Sequence, residues 1–236
     1  MTTRNVGAEG FRWFIGFVES LDDPDMLGQI KVRVPDVHGD MPVEDIPYAT
    51  LLMPATSASL MEVGLSPTGI EVGTMVVGFF ADGNEYNLPI IMGSINKIND
   101  GDVSKHDVSK LARETNSIVK KPFGIEPPSA YKAKYPNNKT HTTKSGHAIE
   151  IDDTPGAERI HVYHKSGTYV EIDQSGRMVT KVIGDDYQVV VKDRNVLVAG
   201  NVNVQVNGNV DIKVNGTYTV KSSGNMKFSA PQIDLN

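Results

Sequence analysis

The chain has 236 residues, room for one large domain or two small ones. Its net charge of -6 argues against broad binding to a phosphate backbone, which needs clustered Lys and Arg. Cysteine is absent, which removes disulfides, thiolate metal sites and cysteine nucleophiles together and leaves the redox compartment open. No apolar run approaches the roughly 20 residues of a membrane-spanning helix, and the opening MTTRNVGAEGF lacks the pattern of a signal peptide.

The first third reads as short strands. Phe11 to Ser20 is rich in aromatic and β-branched residues. Asp22-Asp23-Pro24-Asp25 supplies a turn, and Gln29 to Val34 alternates polar and apolar with period two up to Pro35, where a ladder donor is lost. Gly73 to Phe80 and Leu88 to Gly93 are two more strands, joined through Asp82-Gly83, a hairpin signal. Four or five short strands within residues 1–95 predict a small Greek-key barrel of the OB type.

Residues 96–144 read as an extended, proline-containing connector, with a short helix over 105–120. Lys121-Pro122 and Pro127-Pro128 exclude a helix or a central strand there. From residue 145 onward the chain is short strand and turn, ending in a repeat that starts near residue 171. Gly176, Gly184, Gly200, Gly208, Gly216 and Gly224 are separated by eight or sixteen, with Lys192 at the missing position. Even positions between them are apolar: Val196, Val198, Val202, Val204, Val206, Val210, Ile212, Val214 and Val220. Odd positions are mostly polar, as in Asn201, Asn203, Gln205 and Asn209. Tyr187, Val189 and Val191 are odd, so the alternation implies a phase slip between 191 and 196.

Period-two alternation gives each strand one dry face, and glycine at each eighth residue suits a corner. A triangular solenoid needs three octads per turn. About eight octads make too few turns for one chain to bury a core, because repeat stacks depend on their neighbours. Three chains wound together share that core, so residues 145–236 are expected to form an intertwined trimeric β-prism with the glycines at its corners and the valines on its axis. The competing reading is an antiparallel meander, for which Asn207-Gly208 and Asn215-Gly216 are suitable turns.

The blocks Trp13 to Glu19, Leu27 to Val34 with His38-Gly39, Ile46 to Ala49, Pro54 to Ala58, Gly73 to Phe80, Pro89 to Gly93 and Ser145 to Gly156, followed by the octads, resemble the central spike of contractile phage tails of the T-even type. They are related more distantly to the valine-glycine-repeat (VgrG) spikes of type VI secretion and to R-type tailocin spikes. The resemblance implies an OB-fold, a connector and a triple-stranded β-helix. It further implies a trimeric, non-enzymatic needle of the virion tail baseplate. Its OB end docks to a hub ring, and its tip pierces the host outer membrane. The lysozyme domain that T-even spikes carry between OB-fold and β-helix has no room in the 50 or so connector residues. The OB-fold begins near residue 11 without the hub-like region of VgrG spikes, which implies a hub on a separate polypeptide. The alternatives are a type VI or tailocin spike, or one with cell-wall-degrading activity.

No catalytic, cofactor-binding or metal-ligating residue is assigned, and no cofactor is expected. Asp100, Asp102, Asp107, Glu114 and Glu126 lack a scaffold to hold a glycosidase pair at fixed separation. His161 and His164, three apart on a strand, face opposite sides. Trp13, Phe14 and Phe17 lack the basic surroundings of a nucleic-acid groove, so no nucleic acid is expected. Beyond Pro231 the apolar residues Ile233 and Leu235 change phase. The open end they mark is expected to dock a small cap resembling the PAAR-repeat tips of related spikes.

Overall fold

In the computed structural model, residues 10–59, 63–96 and 126–234 are described; the helix expected over 105–120 lies outside them. Five strands close a barrel in the order β1-β2-β3-β5-β4: β1 Arg12–Ser20, β2 Ile30–Arg33, β3 Tyr48–Leu51, β4 Met75–Phe80 and β5 Pro89–Ile95. All neighbours are antiparallel except β3 and β5, which run parallel. Alternation along β1 and β4 sends Phe14, Val18, Val76 and Phe80 inward to meet Ile30, Val32, Ala49 and Ile91. Two glycines permit the tight closure. A Cβ at Gly16 would stand 2.6 Å from Val32 Cγ1, and one at Gly78 would overlap the Ile90 carbonyl and meet the Phe14 ring at 2.8 Å.

The β1–β2 turn is organised by one carboxylate. Asp23 accepts the backbone N–H groups of Asp25, Leu27 and Gln29 at 3.2, 2.8 and 2.9 Å, and these bonds lower its pKa. Strand β2 stops two residues before Pro35, which instead opens the short helix α1, Pro35–His38.

A second sheet is an antiparallel meander of β6 Asn138–Thr142, β7 Ala148–Asp152, β8 Arg159–Tyr163, β9 Tyr169–Asp173 and β10 Met178–Lys181. Strand β6 falls inside the stretch read from sequence as connector, because Asn138 to Thr142 pairs in register with β7. The first octads also belong to this sheet. Gly176 occupies the β9–β10 hairpin turn at φ 78°, its N–H bonded to Asp173 O at 2.8 Å, and is not a solenoid corner.

Residues 187–236 separate as a second unit, described through residue 234. Its backbone bends at 191–192, 199–200, 207–208, 215–216, 223–224 and 231, a strict period of eight that includes Lys192 and reaches Pro231. The bend spacing contains no phase slip between 191 and 196. Val190, Val198, Val206 and Val214 occupy one octad position and share similar exposures of 46, 47, 50 and 47%. The glycines at these bends have neither a left-handed φ nor a Cβ obstruction. A side chain at Gly184, Gly200, Gly208, Gly216 or Gly224 would meet nothing within 4 Å of its own chain.

Candidate assembly surfaces

The second sheet has one charged face and one apolar face, and the charged face is the covered one. Its side chains are Glu150, Asp152, Arg159, His161 and Glu171, each about 2% exposed, with Tyr163 and Tyr169 beside them. Residues 126–137 cross over this face as a strap. Ser129 Oγ donates to Glu171 Oε2 at 2.7 Å, and the Ala130 N–H donates to Oε1 at 3.0 Å. Lys134 N–H bonds Thr154 Oγ1 at 2.9 Å, and the Tyr131 ring lies 4.9 Å from the Arg159 guanidinium. At the β10 edge Glu126 accepts from Tyr169 OH at 2.7 Å and from Lys181 Nζ at 2.8 Å.

Arg159 is the hub of the covered cluster. Its guanidinium pairs with Glu150 and, at 2.9 Å, with Glu171, while Glu171 Oε2 also contacts His161 Nδ1 at 3.0 Å. Burial alone would push the Glu171 carboxyl up. Hydrogen bonds from His161, Ala130, Ser129 and Arg159 outweigh it and bring the pKa down to about 2. Glu150, with Arg159 as its main partner, is shifted upward by burial. Burial, then the bond to Glu126, raises the Tyr169 phenol. Two carboxylates on one arginine beneath a strap have no substrate access; the arrangement locks the strap to the sheet.

The opposite face is bare. The register sets Ile151, Ile160, Ile172 and Met178 in one row and Ile149, Val162, Val170 and Thr180 in the next, each row ending on β6 in a polar residue, Lys139 and His141. Ile149, Ile151, Ile160 and Val162 are each about half exposed, at 49, 48, 50 and 48%. The alternation that buries charge on one side leaves isoleucine and valine open on the other, the reverse of a solvated sheet.

The octad residues are bare as well. Val196, Val202, Val204, Val210, Ile212 and Val220 are all more than half exposed, and Val198, Val206 and Val214 about half exposed. Among the described residues of 187–234 none is buried. The single chain therefore does not bring the expected core residues together. Pro231 sits at the last bend, Ile233 is 52% exposed, and Leu235 lies outside the described residues.

Of the groups considered for chemistry, Glu126 is taken up by Tyr169 and Lys181, and Asp100, Asp102, Asp107 and Glu114 lie outside the described residues. His161 is buried under the strap, whereas His164 is exposed with its ring 4.4 Å from that of His147. No cluster of three or more His, Asp or Glu suited to a metal ion occurs among the described residues. The bare sheet face escaped the sequence reading. Its signal was present in the alternation of 148–152 and 159–163, which shows two faces without saying which is covered.

The family model of the Gp5 N-terminal OB domain matches residues 30–164, more than half of the chain, from β2 through β8. The chain belongs to the Gp5 family. It is 31% identical over 267 aligned positions to Protein Gp5 of Vibrio phage KVP40, covering 83% of this chain and 63% of that protein. A shorter alignment of 75 positions, at 48% identity, relates it to the pre-baseplate central spike protein Gp5 of Enterobacteria phage T4, covering 32% of this chain and 13% of that one. The chain thus spans less than two thirds of the length of either Gp5 relative. The match runs beyond the barrel into the strapped sheet, so β2 to β5 of the barrel and β6 to β8 of the sheet fall within one family pattern.

Proposed function

We propose that this chain is a structural central spike of a phage tail baseplate and works as a homotrimer. Residues 1–95 form its hub-docking barrel, and the apolar face of the sheet and that of the octads are each covered by the other two copies. The observation that carries this reading is the coexistence of two apolar faces, one on the sheet and one along the octads, that the described residues of the single chain leave uncovered. Ile149, Ile151, Ile160 and Val162 stand about half exposed on the sheet, and Val198, Val206 and Val214 stand equally exposed in the octads. Half-exposed isoleucine and valine along two rows exceed what a monomer normally leaves in water. A second and third copy supply the same surface, as a closed rotational assembly requires.

In this reading Gly184, Gly200, Gly208, Gly216 and Gly224 mark the prism corners, where crowding comes from the other copies. Val196, Val198, Val202, Val204, Val206, Val210, Ile212, Val214 and Val220 form the shared core. The barrel docks to a hub protein on a separate chain, and contraction drives the distal end through the host outer membrane. Pro231, Ile233 and Leu235 seat a small PAAR-like cap. The role is mechanical and not enzymatic. Sedimentation of the purified full chain tests the core of this. The expected species has three times the chain mass and resists SDS at room temperature. A stable folded monomer at micromolar concentration would overturn it.

A further inference from the structure

The barrel carries an apolar surface of its own, on the side opposite its core. Outward side chains of β1, β4 and β5 stand in three cross-strand rows: Trp13 with Phe79 and Ile90, Ile15 with Val77 and Gly93, Phe17 with Met75 and Ile95. The first two rows contain no charged residue, and the third is continued on β2 by Arg33, which stands opposite Phe17. Phe11 extends the first row, its ring 5.2 Å from that of Phe79, and the Trp13 ring lies 5.5 Å from Phe79, both edge to face. Yet Trp13 is 60% exposed and Ile15 54%.

None of these side chains belongs to the buried barrel core, which lies on the inward positions of the same strands. An aromatic-centred patch with no charge in its two central rows and the Arg33–Glu19 pair at its edge matches the composition of interface centres and not that of a solvated sheet face. The charge around it narrows the partner. The described barrel residues include eleven carboxylates and only three cations, Arg12, Lys31 and Arg33. All three cations are engaged: Arg12 with Asn84, Lys31 with the Val43 and Glu44 carbonyls, Arg33 with Glu19. Asp82 and Glu85 flank the end of the patch where β4 turns toward β5. An acidic body repels a phosphate backbone however well its aromatics would stack, and it steers a basic protein surface inward.

We propose that the outer face of β1, β4 and β5 is the barrel's docking surface for a second protein, one that offers an apolar recess for Trp13 and Phe79 within a rim of Lys and Arg. This rests on the reading that the barrel meets a separate hub protein, and it names the face and the chemistry of that contact. Trp13 is the chain's single tryptophan and therefore reports directly on whether this face is covered.

The test uses the full chain in its assembled state, with the purified hub protein of the same particle as probe. The free protein should show red-shifted tryptophan emission readily quenched by acrylamide. Adding hub should shift the emission to the blue and protect it. Ile15→Glu should weaken hub binding at least tenfold while leaving the far-ultraviolet spectrum and the sedimentation coefficient unchanged. Blue, protected emission before hub is added would mean that copies of this chain already cover the face, and would overturn the proposal. Quenching by oligo-dT at physiological salt would overturn it in favour of nucleic acid. Hub binding with unaltered emission and undiminished by Ile15→Glu would overturn the face and leave hub docking standing. Failure of the unaltered chain to bind hub would overturn both.

Discussion

Arg159 on β8 reaches diagonally to Glu171 on β9 beneath the strap, Nη1 to Oε2 at 2.9 Å, with both side chains all but removed from solvent. Their pairing lets a sheet hold charge on its covered face. Glu171 is satisfied from three directions, by the strap, by Arg159 and by His161. Removing one partner of such a cluster leaves the others buried and uncompensated.

Glu171→Gln should therefore cost about 2–4 kcal/mol of stability in this sheet. It should also release the strap, seen as faster hydrogen exchange at the Ala130 amide. The same substitution should change the acid response. Glu171 has a folded pKa of about 2, below the ordinary glutamate value. Its stabilising share is therefore complete above about pH 4.3 and is lost as pH falls from there through about 2. The variant should lack that loss in thermal unfolding measured across the window.

Charge placed on the bare face should act on assembly and not on the chain's own sheet. Ile160→Lys and Val162→Glu lie on the open rows, with the strap on the other side. Each is expected to yield folded but dissociated protein in sedimentation, with the barrel spectrum retained. A fully assembled Ile160→Lys Val162→Glu double variant would exclude this face from the trimer seam.

In the octads, Val204→Asp should abolish SDS-resistant assembly, whereas Asn203→Asp, one residue away on the other face, should be tolerated. Gel mobility of unheated samples separates the two. Equal behaviour would indicate that parity does not define an inside.

The barrel offers a paired steric test. Gly78→Ala drives a methyl into the Ile90 carbonyl and the Phe14 ring and should cost about 1–3 kcal/mol. Gly93→Ala meets nothing within 4 Å and should change stability by less than about 0.5 kcal/mol. Denaturant unfolding of the two variants gives the comparison.

Deleting residues 231–236 should leave the trimer intact and abolish binding of a purified cap protein. Undiminished cap binding would place that contact elsewhere on the chain.

Strands β1, β2, β4 and β5 were legible because alternation, Pro35 and Asp82-Gly83 punctuate them. Strand β3 was not, since Tyr48-Ala49-Thr50-Leu51 is four residues long and becomes a strand by pairing with β2 and β5. β6 was hidden for a related reason. Asn138-Lys139-Thr140-His141-Thr142 has almost no apolar content and owes its conformation to the β7 ladder. Tyr187, Val189 and Val191 are apolar at odd positions, against the parity of the later octads, yet the backbone bends keep their interval through 191–192. These three stand 84, 85 and 95% exposed, against 46% for Val190. Period carries across sequence more faithfully than the polarity of any single repeat. The aromatic patch was visible as Trp13 and Phe17, but its second strand, Phe79 and Val77, comes from a pairing more than sixty residues distant.

The bends of the terminal unit keep their interval where glycine is missing, at Lys192, and where proline stands, at 231. Length in this part of the molecule is therefore quantised. Inserting or removing eight residues shifts the end by one bend interval and keeps the parity of every downstream valine. A change of any odd number turns all of them over at once. The segment can thus grow or shrink over generations only in whole words, while the letters within a word, corners included, stay free to drift.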